Sequence, residues 1–253
     1  MKLTVIGTGS SGNCYMLENK YGAILLDAGL PIAKIRNAVQ DWSKIGACFV
    51  THEHGDHAKA VHDLCKRGIV CYMSPGTKKA IMEKRTGPVF WGNNMETIRA
   101  SDLVLMDTGF TIMPFNVRHD ASEPLGYMLK DQETKKILVF ATDMVGLCNR
   151  FSNVSYWLIE CNYCLDLLVK QRQAGAITDQ LFVRIAGSHM DLDALAEYLV
   201  KNDLSKTELI VLCHLSDTRS DEGRMIKTIR AQTGCTTIAA ANGLSIDLET
   251  VQP

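Results

Sequence analysis

Apolar positions along the chain fall into short runs separated by stretches of helical period. Leu3 to Ile6 is a brief apolar run. Tyr15 with Leu17, and then Ala23 to Leu26, read as two strands, and Asn19-Lys20-Tyr21-Gly22 between them has turn chemistry. Ile32 to Trp42 reads as a helix with Pro31 at its start, and Ala47 to Thr51 as an apolar strand. Ala58, Val61, Leu64 and Cys65 share one helical face, and Gly68 ends that helix. Ile69 to Met73 is strand-like. Ser74-Pro75 caps and opens a helix running towards Arg85. The middle is strand-rich: Leu103 to Met106, Thr111 to Val117, Gly126 to Leu129, Ile137 to Ala141 and Trp157 to Glu160. Leu192, Leu195, Ala196, Leu199 and Val200 give a helical stripe behind Asp191 as N-cap. Leu209 to Cys213 is a buried strand, and Met225, Ile226 and Ile229 mark a last long helix ended by Gly234. Strands and helices occur in both halves, which predicts an α/β fold with two sheets covered by helices.

The length of 253 residues and a hydrophobic content of 46% allow a sizeable core. There is no repeat, low-complexity tract or linker rich in Pro, Gly or Ser, so residues 1–253 are expected to form a single domain. A net charge of -1 offers no global basic field. The opening residues lack the features of a secretory leader, and no run approaches the roughly 18 apolar residues of a membrane span. Nine cysteines, an odd number, point to reduced thiols and a cytoplasmic setting. Cys161 and Cys164 form a lone C-x-x-C without a second pair, and packing as small hydrophobes is the expectation for both.

Gly7, Gly9 and Gly12 spell G-x-G-x-x-G, and Asp27 follows Gly7 by twenty residues. A dinucleotide site needs a helix straight after the glycines to hold the pyrophosphate. The strands at Tyr15 and Ala23 leave room for a hairpin and none for a crossover, so the glycines are expected to serve a tight loop.

The chemistry lies in FVTHEHGDHAKAV. A buried strand ends at Thr51, and His52, His54, Asp56 and His57 follow at the start of a helix. Alternate residues on an extended loop point the same way, so His52 and His54 can grip one ion, while Asp56 and His57 can face a second. His62 falls about 140° round the helix from His57 at 100° per residue and is expected to face solvent.

H-x-H-x-D-H after an apolar strand resembles the signature of the metallo-β-lactamase fold, a four-layer αββα sandwich of two mixed sheets flanked by helices. That family adds a His, a bridging Asp and a final His, each after a later strand. Here TIMPFNVRHD supplies His119, ILVFATD supplies Asp143 and LIVLCHLSD supplies His214. The resemblance implies that His52, His54 and His119 hold one divalent ion, that Asp56, His57 and His214 hold a second, and that Asp143 bridges them. It also implies that the first loop, with Ser10 and Asn13, lies near the metals, and that Asp27 braces the metal loop by hydrogen bonds. His and Asp donors suit zinc or manganese.

The finer resemblance is to the WalJ/YycJ-like branch. It is carried by Gly7 to Asn13 with Thr8 in place of Ser, by VRHDASEP, by Ile159 to Asn162 (which includes Glu160), and by His214 to Ser216. A Gly-His-Leu/Val-Ser element becomes Gly187-Ser188-His189-Met190, and Tyr163-Cys164 replaces a His-Asp pair. The branch implies phosphodiester hydrolysis, of DNA from a 5′ end, by a hydroxide shared between two ions. Asp56 would serve as ligand and general base, and His189 would hold a phosphate oxygen or protonate the leaving group. Ser216 and Arg219 are weaker candidates for phosphate contact, and Arg219 reads more as a surface residue. The seventy residues between Asp143 and His214 are expected to carry a strand, two helices and loops, too little for a β-CASP insert. The alternatives are a small-molecule phosphodiesterase for cyclic nucleotides or cyclic phosphates, and a non-catalytic module binding nucleic-acid ends. A glyoxalase-type thioesterase lacks its C-terminal helices here, and a flavin-linked di-iron oxidoreductase would place Glu at His54.

Overall fold

The computed structural model describes residues 1–84 and 94–250. The chain opens with β1 (Lys2–Gly7), β2 (Cys14–Glu18), β3 (Ala23–Leu26), α1 (Ile32–Ala38) and β4 (Ile45–Phe49). Short helices α2 (Gly55–Ala58) and α3 (Val61–Lys66) precede β5 (Val70–Met73), α4 (Pro75–Glu83) and β6 (Met95–Thr97). Then come β7 (Val104–Leu105), β8 (Phe110–Asn116), β9 (Leu125–Asp131), β10 (Ile137–Ala141) and β11 (Tyr156–Glu160). Helices α5 (Leu165–Gln173), α6 (Asp179–Ser188) and α7 (Leu192–Leu199) lead to β12 (Leu209–Cys213), α8 (Glu222–Thr233), β13 (Thr237–Ala239) and β14 (Ser245–Asp247).

The chain divides into two compact units. The first comprises Met1–Asn116, Ala121–Lys135 and Ala241–Val251. It holds a seven-stranded mixed sheet in the order β14-β1-β2-β3-β4-β5-β6, and the antiparallel ladder β7-β8-β9. The second comprises Val117–Asp120 and Lys136–Ala240 and holds the parallel ladder β10-β11-β12-β13. The architecture is α/β, with two mixed sheets flanked by helices. Leu3 and Val5 of β1 are buried while Lys2 is exposed, the alternation of a strand with one face in the core. β11 and β12 are buried at every position, as a central parallel ladder demands.

β1 and β2 pair antiparallel, so the opening glycines turn a strand into a strand and no helix follows them. Gly12 has φ 135, which a side chain would strain. The Asn19–Gly22 turn is closed by Asn19 Oδ1, which accepts from the backbone N–H of Tyr21 and Gly22.

Several boundaries depart from the periodicity. α1 stops at Ala38 and not at Trp42: Val39 turns extended, and Asp41 starts a separate 3₁₀ turn by accepting from the Ser43 N–H. The helix expected after His57 is two helices. Ala60 N–H bonds to the Ala28 carbonyl and breaks the run. The angular frame restarts at Val61, so His62 is buried at 9% exposure instead of facing solvent. Val200 lies beyond the last turn of α7 and is 46% exposed. The segment between Asp143 and His214 holds three helices, not two, since α5 and α6 form a hairpin with its own small core of Tyr163, Leu168 and Ile185. Arg85 lies outside the described residues. Strands β6, β13 and β14, of three residues each, are too short for a periodic signal.

Gly29 follows Asp27, and a Cβ there would sit 1.6 Å from the Asp56 carbonyl oxygen. The two loops touch by backbone, and Gly29 N–H also bonds to the Asn13 carbonyl. Gly29→Ala should therefore destabilise by at least about 2 kcal/mol in urea melts, an overpacking cost in a place that cannot relax. Gly55→Ala, with nothing within 4 Å of its Cβ, should leave the midpoint unchanged.

Candidate metal centre

The donors of the first unit hang from the end of β4. Residues 50 and 51 extend its path: Val50 N–H bonds to Tyr72, the Val50 carbonyl accepts from the Tyr127 hydroxyl, and the Thr51 carbonyl accepts from Leu125 N–H. Buried Asp27 takes the Thr51 N–H at 2.8 Å and the Thr51 hydroxyl at 2.9 Å on Oδ1. Its Oδ2 lies 2.8 Å from His57 Nδ1. Burial raises the Asp27 pKa, opposed by the charge and hydrogen bond of His57 and by the bonds from Thr51. The carboxylate acceptor puts the His57 proton on Nδ1 and leaves the Nε2 lone pair on the other side, 3.1 Å from Asn13 Nδ2 and 3.6 Å from Asp56 Oδ2. His52 Nδ1 sits 3.0 Å from the Thr51 hydroxyl. The His52 ring lies 4.6 Å from that of His54 and 4.2 Å from that of His57, centroid to centroid. The Asp56 side chain is 29% exposed, while His57 is fully buried.

The second unit builds a matching set. His119 Nδ1 donates to the Ser188 carbonyl at 2.7 Å, at the last turn of α6. Its Nε2 faces Asp120 Oδ1 at 3.1 Å and Asp143 Oδ2 at 3.7 Å. Glu160, at the end of β11, is fully buried. Its Oε1 takes His189 Nδ1 at 2.7 Å and faces His214 Nδ1 at 3.1 Å, and its Oε2 accepts the backbone N–H of Met144 and Met190. Burial opposes the Glu160 charge, but His189 and His214 outweigh it and hold the pKa below the usual carboxylate range. Burial likewise opposes the His189 cation, and the Glu160 charge and hydrogen bond, with Asp143 behind them, raise its pKa. Asp143, Glu160, His189 and His214 offer donor atoms that all lie within 4.8 Å of one another.

Three of these positions adopt left-handed backbone although none is glycine: Asp27 (φ 59), Asp143 (φ 47) and His214 (φ 53). Each follows the end of a strand, β3, β10 or β12. Such conformations cost roughly 1–3 kcal/mol each and persist where the surroundings over-determine them.

Within the first unit the structure thus groups His52, His54, Asp56 and His57 with Asp27 and Asn13. Within the second it groups His119, Asp143 and His214 with His189 and Glu160. Ser10 is exposed at the tip of the first loop. Ser216 is buried and accepts from Arg219 at 3.3 Å. Asn162, whose role the motif left open, donates to the His214 carbonyl at 2.9 Å. Thr51 and the Ser188 carbonyl were not foreseen. Thr51 adjoins the motif, but a backbone carbonyl has no sequence signal. Cys161 and Cys164 are buried free thiols, and burial raises both pKa values.

Residues 7–126 match the metallo-beta-lactamase superfamily. The chain carries a metallo-β-lactamase domain. It is 26% identical over 265 residues to the exodeoxyribonuclease WalJ of Streptococcus pneumoniae, covering 98% of this chain and 92% of that protein. It is 26% identical over 225 residues to the exodeoxyribonuclease YycJ of Bacillus anthracis, covering 85% of this chain and 83% of that one. These likenesses support the WalJ/YycJ-like branch. Its fold is similar to the crystal structure of Zn(2+)-bound PqqB from Methylobacterium extorquens, with TM-score 0.74 and 15% identity over 98% of this chain and 100% of the other. The domain is a hydrolase of the superfamily, with His and Asp groups able to bind divalent metal. No described helix is long and apolar enough to cross a membrane.

Glu160→Ala removes one acceptor from two imidazoles and two backbone N–H groups, all in the interior. The expected loss is about 3–5 kcal/mol in denaturant melts of metal-free protein, the range for stripping one partner from a buried charged pair.

Proposed function

We propose that this domain is a metal-dependent phosphodiester hydrolase that degrades DNA from a 5′ end, with two divalent ions, zinc or manganese, as cofactors. His52, His54 and His119 would hold one ion. Asp56, His57 and His214 would hold the other, and Asp143 would be shared. The donor chemistry fits: His57, His119 and His214 each have Nδ1 at 2.7–3.1 Å from an oxygen, which leaves Nε2 as the coordinating atom. When bound, such ions supply a water acidic enough to act near neutral pH and offset phosphate charge.

The protein's own groups divide the remaining work. Asp56 has a half-open carboxylate beside buried His57, so it can take a proton from an attacking water. His189 is fixed through Nδ1 by Glu160, which leaves Nε2 to donate to a phosphate or leaving-group oxygen. Asn13 and Asp27 orient His57, Glu160 orients His189 and His214, and Ser216 offers a hydroxyl for the substrate. Ser10, on the exposed tip of the opening loop, would meet the substrate. Nine cysteines without a disulfide support a cytoplasmic setting.

The observation that carries this reading is the likeness to an exodeoxyribonuclease over 98% of this chain, which spans segments bearing every donor named above. Metal-reconstituted protein should release label from a 5′-labelled linear duplex, and Asp56→Ala should slow that at least about a hundredfold. Turnover of cyclic nucleotides with untouched DNA would instead assign a small-molecule phosphodiesterase. Activity on neither would favour an end-binding module. Asp143→Asn should strip both ions, and elemental analysis finding two metals per chain in this variant would refute its shared role.

A further inference from the structure

Among the arginines of the second unit, Arg172, Arg184 and Arg224 each have a carboxylate partner, at 2.7, 3.0 and 2.7 Å. Arg219 does not. It is half-buried, and its fork is held by neutral groups: Nε donates to Gln171 Oε1 at 3.0 Å and Nη1 to the Ser216 hydroxyl at 3.3 Å. Among the described residues no carboxylate pairs with it.

The loop that carries it is built rigidly. Ser216 N–H bonds to the Asn162 carbonyl, Cys164 N–H to the Arg219 carbonyl, and Gln171 Nε2 to the Thr218 carbonyl. Ser220 donates twice to the Ser216 carbonyl and closes the turn. Asn162 also holds His214, so the guanidinium is tied through Ser216 and Asn162 to a candidate metal ligand. A partly desolvated cation without a counter-ion, anchored only by neutral groups, still has unused N–H donors, and its planar fork matches phosphate oxygens.

We propose that Arg219 and the Ser216 hydroxyl form a second phosphate subsite, which binds a substrate phosphate other than the one being cut. The proposal rests on the phosphodiesterase reading for its substrate class. It makes the domain selective for substrates with two phosphates, one at the metals and one at Arg219.

Calorimetry on metal-reconstituted protein tests this without turnover. Thymidine 3′,5′-bisphosphate is compared with the 3′- and 5′-monophosphates. Wild type should bind the bisphosphate at least about tenfold more tightly than either monophosphate, the scale of one charge-assisted hydrogen bond. Arg219→Ala should abolish that gap while keeping two metals per chain. If Arg219→Ala fails to fold, Arg219→Lys carries the test: it keeps the charge but loses the Gln171 anchor, and its gap must fall below that of wild type. Equal binding of all three ligands by wild type, or an undiminished gap in a folded variant, would overturn the subsite. Because binding alone is read, the subsite stands if an Arg219-dependent gap is found in a protein that leaves DNA uncut, and only the exonuclease reading then falls.

Discussion

The candidate donors in each unit depend on one recurring interaction: an oxygen acceptor on Nδ1 of an imidazole. Asp27 performs it for His57, the Ser188 carbonyl for His119, and Glu160 for both His189 and His214. An imidazole has two nitrogens and, when neutral, one proton. Fixing the proton on Nδ1 fixes the tautomer, the ring plane and the direction of the Nε2 lone pair. Without these acceptors the same histidines would be ordinary polar side chains in costly burial.

The acceptors themselves need a rigid frame, and strand ends provide it. Asp27, Asp143 and His214 all leave their strands through a left-handed residue. That turn redirects the side chain away from the alternating faces of the sheet, to a place no regular strand position reaches. The strain is offset locally: Asp27 takes three bonds from Thr51 and His57, and His214 is held by Asn162 and Glu160. Gly29 completes the arrangement in the first unit by letting its backbone meet that of Asp56.

The electrostatics have a matching logic. Buried Glu160 is surrounded by two imidazoles and two backbone N–H groups, so its charge is hydrogen-bonded throughout. Arg219 presents the contrary case, a cation held, among the described residues, by neutral partners alone. The first arrangement stabilises a resident structure, whereas the second is completed by an incoming anion.

The order of strands and helices and the H-x-H-x-D-H cluster were legible in the residues, because periodicity, capping and local spacing are short-range. Ile137–Ala141 and Leu209–Cys213 are strands with the limits their apolar runs imply, and Asp191 and Gly234 cap the helices they flank. The break at Ala60, the burial of His62 and the extra helix between Asp143 and His214 were not legible, since each depends on what packs beside the segment. Asp27 was expected from the family resemblance to brace the metal loop, but the pairings of Glu160 and of the Ser188 carbonyl were hidden. Asp27 reaches His57 across 30 residues, Glu160 reaches His214 across 54, and the Ser188 carbonyl reaches His119 across 69. A sequence names the imidazoles. Only the packed chain decides which nitrogen each one offers, because that choice is made by oxygens brought alongside from distant strands and helices.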